Sequence, residues 1–320
     1  MIQIFQNEQK TNNFITYSEE EFFSPGFSFK SKWINLTNPT DKEIEFVSRS
    51  LNIGEDFLKA PLDDDEGARM EFDEGALLVI CDVPIIEEDN GHDTYSTLPL
   101  GIIIKDEVFI TVCLQETVVI RDFIRGRVKS FTINKNTRFL FQILYNVATK
   151  FLHYLRQINK SSQRIQSELH RSMKNKELIQ LLDLENSLVY FSTSLKSDEN
   201  LIGKLIKFDG LKKFEEDNDL LEDVSIEISQ AIEMCNIYRD ILSGTMDAFA
   251  SVISNNLNIV MKFLTSVTLI ISIPTLIASI FGMNVKLPFM NWDYAFWAII
   301  GLSVLISIII ALFLRKKKLM

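Results

Sequence analysis

Two apolar segments near the C-terminal end place the strongest constraint on the fold. Residues 263–285 and residues 294–314 contain no charged side chain. At about 1.5 Å per residue, each segment is long enough as a helix to span a hydrocarbon core, which takes about 20 residues. We therefore predict two transmembrane helices, because the charged and aromatic flanks of both segments argue against a pair of buried helices in a soluble protein.

The flanking residues predict how these helices are oriented. Lys262 precedes the first segment, and the basic run 315–318 follows the second directly. Because basic residues are enriched on the cytoplasmic side, both ends of the pair are expected there, with residues 286–293 outside. Aromatic side chains at the outer end of the second segment fit a membrane interface. The sequence thus predicts a multi-pass protein of the cell membrane with both termini cytoplasmic.

The remainder of the chain is acidic. The net charge is −10, and residues 263–320 hold five basic residues and one acid, so residues 1–262 carry 28 basic against 42 acidic side chains. This balance argues against a nucleic-acid partner and favours cations. The three cysteines and three histidines show neither zinc-ligand nor disulfide spacing, so we predict that they are structural.

The pattern of the sequence predicts an α/β domain followed by long helices. Strand-like runs occur at 76–86, 98–104 and 107–114, the last two spaced as in a hairpin, and residues 41–53 form a helical pattern. The predicted regions are a cytosolic α/β domain at 1–135, a cytosolic helical hairpin at 136–218, a stalk helix at 219–285 that continues as the first transmembrane helix at about 263–284, an external loop at 286–293, the second transmembrane helix at 294–314, and a basic cytosolic tail at 315–320.

One face of the predicted long helix is small and polar. This seam, isolated by alternating steps of three and four residues, comprises Asp247, Ser251, Ser254, Asn258, Met261, Thr265, Thr268, Ser272, Thr275, Ser279 and Gly282. It indicates either close packing against another helix or a surface that lines water. Its continuation beyond the membrane boundary favours water. Two spans cannot enclose a pore alone, so a pore requires a ring of identical chains.

The stalk below the membrane is strongly acidic. Between Glu215 and Asp247 there are ten acids and one base. Glu233, Asp240 and Asp247 follow each other at intervals of seven, which places them on one helix face. In a ring these carboxylates would concentrate cations, whereas in an isolated helix they would form an ordinary solvated face.

The triplet Gly282-Met283-Asn284 ends the first apolar segment. Asn284 fits a helix C-cap, since asparagine tolerates the left-handed conformation. In a ring, its side-chain oxygens would instead surround the axis and suit hydrated Mg²⁺, an ion that loses its water reluctantly.

This triplet between two C-terminal spans resembles the CorA family of magnesium channels. The resemblance extends through "YRDILSGTMDAFASVISNNLNIVMKFLT" (238–265) and, more weakly, over the whole chain. It implies a CorA-like homopentameric channel, in which each chain has an α/β cytosolic domain, a long α-helical stalk and two transmembrane helices.

The resemblance also implies residue roles. Gly282, Met283 and Asn284 would form the selectivity motif. The predicted pore-lining residues are Asn258, Met261, Leu264, Thr268, Ser272, Thr275 and Ser279, with Met261 and Leu264 as a hydrophobic constriction. Regulatory Mg²⁺ would bind between cytosolic domains at Asp223 and Asp247, with Glu87, Glu88 and Asp89 as candidates for the partner acid.

Three departures from the family pattern stand out. Phe281 replaces the tyrosine that usually precedes the triplet, and the external loop reads "KLPFMNWD" instead of containing Met-Pro-Glu-Leu. Lys286 in that loop would repel cations at the mouth unless Asp293 offsets it. The acid and histidine cluster that often follows the position of Asp223 is "VSIEI" here.

These observations predict a channel for potential-driven uptake of hydrated Mg²⁺, with Co²⁺ and Ni²⁺ as further ions, gated by intracellular Mg²⁺. The expected partners are divalent ions, further copies of the chain and the lipid bilayer. One alternative is a zinc transporter of the same superfamily, with proton coupling as an option; another is a membrane-anchored sensor or scaffold. The enzyme motifs considered, such as a P-loop or GxSxG, do not occur, so an enzyme is not expected.

Overall fold

The chain forms two compact units, Met1–Ser243 and Gly244–Met320. A computed structural model describes residues 1–7, 14–17, 24, 27–89, 92–128, 131–172, 175–211, 214–283 and 293–317. Asn284 and Lys286 lie outside these described residues, as does most of the predicted external loop. The domain boundaries predicted from the sequence stay a prediction.

The described part of the first unit contains a seven-stranded sheet. Its strands are β1 (Ile2–Asn7), β2 (Phe14–Tyr17), β3 (Trp33–Thr37), β4 (Arg69–Asp73), β5 (Ala76–Asp89), β6 (His92–Lys105) and β7 (Val108–Cys113), in the order β2-β1-β3-β7-β6-β5-β4. Only β3 and β7 pair in parallel; the other neighbours described here are antiparallel. Every residue of β7 is buried, as expected for a strand covered on both faces.

The predicted strands are present, with one extended beyond its predicted start. Lys105 pairs with Val108, so β6 and β7 form the expected hairpin through a two-residue turn. Asp106 in that turn has φ 52°, the left-handed value that tight hairpins favour. β6 begins at His92 instead of Leu98, because the polar run between them pairs with the end of β5.

Five α-helices lie wholly within the first unit among its described residues: α1 (Asp41–Leu51), α2 (Glu55–Lys59), α3 (Val118–Ile124), α4 (Asn136–Ser172) and α5 (Asn175–Lys207). Thr40 starts α1 with a capping box, in which its hydroxyl accepts from the Glu43 amide and its own amide donates to the Glu43 carboxylate at 2.7 Å. Val47 and Leu58 then pack against Ile34 in a buried cluster on one face of the sheet.

The opposite face of the sheet is covered by α4 and α5. Phe139 on α4 stacks on Phe109 with ring centroids 4.1 Å apart and lies 5.1 Å from Trp33. Phe151 on α4 contacts Phe191 on α5 at 5.0 Å, and later residues of α4 meet earlier residues of α5. The two helices are therefore antiparallel, as predicted, and the unit has a helix–sheet–helix arrangement.

Two further helices are long and apolar enough to cross a membrane. The long helix α6 (Glu215–Phe281) is continuous over 67 residues and contains Pro274, and the second helix is α7 (Ala295–Lys316). The two predicted spans are therefore helical, and the seam lies on α6.

Candidate functional site

Every seam position is exposed in the single chain. The side of α6 that faces α7 is different: Ser266 is buried there, and the Ser307 hydroxyl of α7 lies 3.4 Å from the Ile270 carbonyl oxygen. At about 100° per residue, Ser279 lies roughly 180° around the helix from Ile270. The second span therefore leaves the seam uncovered on the opposite face of α6.

Three of the seam hydroxyls donate their protons to carbonyl groups of their own helix. Thr268 Oγ1 donates to the Leu264 carbonyl at 2.8 Å, and Thr275 Oγ1 donates to the Ile271 carbonyl at 3.0 Å. Ser272 Oγ donates to the Leu269 carbonyl at 3.0 Å. A hydroxyl has one proton and two lone pairs, so these exposed oxygens remain as acceptors. The seam thus offers neutral hydrogen-bond acceptors along an otherwise apolar span.

Three further predicted pore residues lie toward the Asp247 end of the seam. Asn258 is exposed, and so are Met261 and Leu264, whose exposed fractions are 52% and 56%. The two apolar side chains lie about 60° apart around α6, since they are three residues apart. They therefore form one apolar patch on α6, just before the seam hydroxyls of the apolar segment, which begin at Thr265.

The described part of the triplet continues directly from the end of α6. The Gly282 amide donates to the Ala278 carbonyl at 2.9 Å, and the Met283 amide donates to the Ile280 carbonyl at 3.4 Å. The backbone hydrogen bonds therefore change from a spacing of four residues to a spacing of three residues as the helix ends. Asn284 and Lys286 lie outside the described residues, so their roles stay predictions.

The predicted regulatory acids occupy separate places. Asp223 is exposed on α6 in the first unit, and Asp247 is exposed on α6 in the second. Glu87 and Glu88 are exposed near the end of β5, where Asp89 is the last residue of the strand. The described residues contain no group of three or more His, Cys, Asp or Glu side chains able to hold a metal ion.

Helix α5 separates Asp223 from the acids of β5 within one chain. The Ser229 hydroxyl of α6 donates to Glu199 near the C-terminal end of α5 at 3.3 Å. Gln180 at the opposite end of α5 contacts His92, which follows the β5 acids. A site that combines Asp223 with the β5 acids would therefore need more than one chain.

Sequence reasoning missed a pair of buried carboxyl groups. Asp82 on β5 and Asp198 on α5 are 8% and 2% exposed. Burial raises the pKa of Asp82 to about 6. Burial also raises the pKa of Asp198, and the nearby Asp82 charge adds to that effect. The available signal was an aspartate inside the apolar strand "ALLVICDVPII", but nothing local indicated its partner.

The family model described as CorA-like Mg²⁺ transporter protein matches residues 29–316. The chain belongs to the CorA family. It is similar to the cobalt/magnesium transport protein CorA of Methanocaldococcus jannaschii, with 30% identity over 296 residues, 89% of this chain and 90% of that protein.

Solved structures agree with the CorA assignment. The CorA magnesium transporter from Methanocaldococcus jannaschii superposes with a TM-score of 0.82 at 26% identity, covering 98% of this chain and 97% of that one. The ZntB cytoplasmic domain from Vibrio parahaemolyticus, at a TM-score of 0.59 and 12% identity, shares the fold over 79% of this chain and 96% of its own length.

This CorA chain is thus a membrane transporter for Mg²⁺ or other divalent cations and not an enzyme. The predicted α/β domain, long helix and two spans are confirmed.

Proposed function

We propose that this CorA-family protein is a homopentameric channel of the cell membrane, with both termini cytoplasmic, that mediates potential-driven uptake of hydrated Mg²⁺ and also admits Co²⁺ and Ni²⁺. The observation that carries this proposal is the exposed acceptor seam on the face of α6 opposite α7. In a ring with α6 innermost, that face lines the axis and α7 faces lipid.

The chemistry of the seam suits a hydrated cation. Mg²⁺ loses its water reluctantly, and the outward hydrogens of its water shell can bond to the oxygens of Thr268, Ser272 and Thr275. Neutral oxygens hold the ion weakly enough to release it. A membrane potential supplies about 2.3 kcal/mol per charge per 100 mV, and so about 4.6 kcal/mol for a divalent ion.

Exposed apolar side chains in the first unit support association with further copies. Five of them lie on α5: Ile179, Leu182, Val189, Tyr190 and Ile206. Clusters of large apolar side chains exposed on one element are typical of protein interfaces. Neighbouring chains in the ring would cover this surface.

Opening and closing of the channel would depend on the apolar constriction and on the regulatory carboxylates. Met261 and Leu264 form an apolar ring that closes when it is too narrow to hold water. Mg²⁺ held between chains at Asp223, with an acid from Glu87, Glu88 or Asp89, stabilises this closed ring, and so does Mg²⁺ held at a separate place by Asp247, because the two aspartates lie 24 residues apart along α6. When cytosolic Mg²⁺ falls, the unneutralised carboxylates repel one another and the constriction widens.

Ion flux into liposomes that contain the purified oligomer tests the proposal. Under an inside-negative potential we expect uptake of Mg²⁺, Co²⁺ and Ni²⁺ that stops when the potential is removed. Zinc uptake that follows a proton gradient, without movement of Mg²⁺, would identify a zinc transporter instead. An intact oligomer that moves no divalent ion would contradict transport and favour a sensor or scaffold.

A further inference from the structure

Pro274 leaves one carbonyl of the long helix without its usual partner. In an α-helix the Ile270 carbonyl accepts from the amide of residue 274, but proline has no amide hydrogen. Ile270 and Pro274 are both half-buried in the second unit. An unpaired carbonyl is strongly unfavourable within a bilayer, where no water can bond to it, so a replacement donor is expected.

Ser307 of α7 is the donor at hand. Its Oγ lies 3.4 Å from the Ile270 carbonyl oxygen and 2.9 Å from the Ser303 carbonyl oxygen of its own helix. The single hydroxyl proton serves one acceptor at a time. The Ser303 carbonyl also accepts the amide of residue 307 in the helix ladder, whereas the Ile270 carbonyl has lost its amide partner. We therefore expect the Ser307 hydroxyl to donate to the Ile270 carbonyl, which has no amide donor of its own.

We propose that Ser307 is a positioning residue for ion conduction, whose hydroxyl replaces the amide missing at Pro274 and fixes α6 against α7. Pro274 directly precedes Thr275 of the seam. The position of α6 at this point therefore sets where the acceptors on either side of the proline lie around the axis. The consequence for transport depends on the proposed channel function, whereas the hydrogen bond between the helices does not.

A spin-label experiment tests the hydrogen bond without transport. Labels are placed at Leu276 on α6 and Leu302 on α7, which are both exposed, and the labelled chain is diluted into unlabelled oligomer. The three native cysteines are buried and should label poorly. We expect Ser307→Ala to broaden the distance distribution and Ser307→Thr, which keeps the hydroxyl, to preserve it.

Ser303→Ala is the matched control. Ser303 is buried on α7, whereas Ser307 is half-buried, and the Ser303 hydroxyl donates to the Ile300 carbonyl of its own helix at 2.8 Å. Its removal should leave the distribution unchanged. If Ser307→Ala and Ser303→Ala give the same distribution, the proposal is wrong.

Pro274→Ala supplies the decisive comparison, because it restores the missing amide. In that background Ser307→Ala should have no effect on the distance distribution. An equal effect of Ser307→Ala with and without the proline would show that the hydroxyl does not substitute for the amide, and would overturn the proposal.

Mg²⁺ flux then tests the role in conduction. We expect Ser307→Ala to lower Mg²⁺ flux about threefold, the factor that corresponds to the typical free energy of one hydrogen bond between membrane helices. Ser303→Ala should leave the flux unchanged. A broadened distribution with normal flux would refute the positioning role. If the parent protein moves no ion, the channel proposal fails, and the spin-label comparison still decides the hydrogen bond.

Discussion

The backbone amide of Asp82 donates a 3.0 Å hydrogen bond to a carboxylate oxygen of Asp198, so β5 and α5 meet at two buried carboxyl groups. The second Asp198 oxygen has no hydrogen-bond partner among the residues that the structure describes. Burial favours the neutral acid, and the pKa of Asp82 rises to about 6 while the pKa of Asp198 rises above its ordinary value. Because the folded state binds more protons than the unfolded state above about pH 4, this pair contributes most stability at low pH, and the contribution is lost as pH rises through about 6.

Replacing Asp198 by Asn should weaken that dependence, although Asp82 keeps the raised pKa that its own burial gives it. The amide keeps an acceptor for the Asp82 amide and carries no charge, so we expect stability to rise at pH 8, with little change at pH 5. Thermal unfolding of the full chain at both pH values measures this effect. Asp183→Asn, an exposed position on the same helix, is the control, and an unchanged pH dependence in Asp198→Asn would contradict the prediction.

Removing one seam acceptor should impair conduction. Thr275→Val keeps the side-chain shape but deletes the hydroxyl, once per chain around the ring, so we expect Mg²⁺ flux to fall on the order of tenfold. Thr275→Ser retains the acceptor and should conduct normally. Full flux through Thr275→Val in liposomes would identify the seam as a packing face.

The two roles of Asn284 can be separated by two substitutions. Asn284→Gly preserves the ability to end a helix in the left-handed conformation but lacks the side-chain oxygen. We expect both Asn284→Gly and Asn284→Ala to lose selective Mg²⁺ uptake while the oligomer persists in size-exclusion chromatography. Normal selectivity of the glycine variant would reduce Asn284 to a helix cap.

Regulation should respond to the acids of α6. The combined change Asp223→Ala and Asp247→Ala removes two carboxylates per chain, so inhibition by internal Mg²⁺ should require a several-fold higher concentration. Flux into liposomes loaded with graded Mg²⁺ gives the dose response. Asp219→Ala, also on α6, controls for loss of an exposed acid, and an identical curve for the double variant would exclude Asp223 and Asp247 from the regulatory site.

The aromatic contact between α4 and the sheet should dominate the stability of that interface. Phe139 is fully buried, so Phe139→Ala should cost about 3–5 kcal/mol. Tyr145→Ala on the same helix removes an aromatic side chain that is 37% exposed and should cost much less. Thermal unfolding compares the two, and equal losses would contradict the assigned packing.

Local periodicity explains which elements the sequence predicts well. The capping pattern at Thr40 and Glu43 marks the start of α1, and the uncharged runs mark both spans. The long helix starts at Glu215, four residues before the predicted Asp219, because the Asp217 carboxylate accepts the Phe214 amide at 3.1 Å and caps the first turn.

Long-range contacts explain what the sequence could not predict. Asp82 and Asp198 are 116 residues apart, and only the packing of α5 on β5 brings them together. The suggestion that Glu87 could join Asp223 in one site used sequence alone, whereas the intervening α5 separates them within a chain. Likewise, a proline at position 274 shows that the Ile270 carbonyl lacks its usual amide donor, but the sequence does not reveal that Ser307 lies beside that carbonyl.

The inward donation by the seam hydroxyls also bears on the sign of the transported charge. Water around a cation turns its hydrogens outward, whereas water around an anion turns its oxygens outward. Because Thr268, Ser272 and Thr275 commit their protons to their own helix, the wall faces a hydrated chloride ion with oxygen against oxygen. In the proposed ring, the seam would therefore favour cations over anions through the orientation of their water, in a segment where residues 263–281 carry no charge.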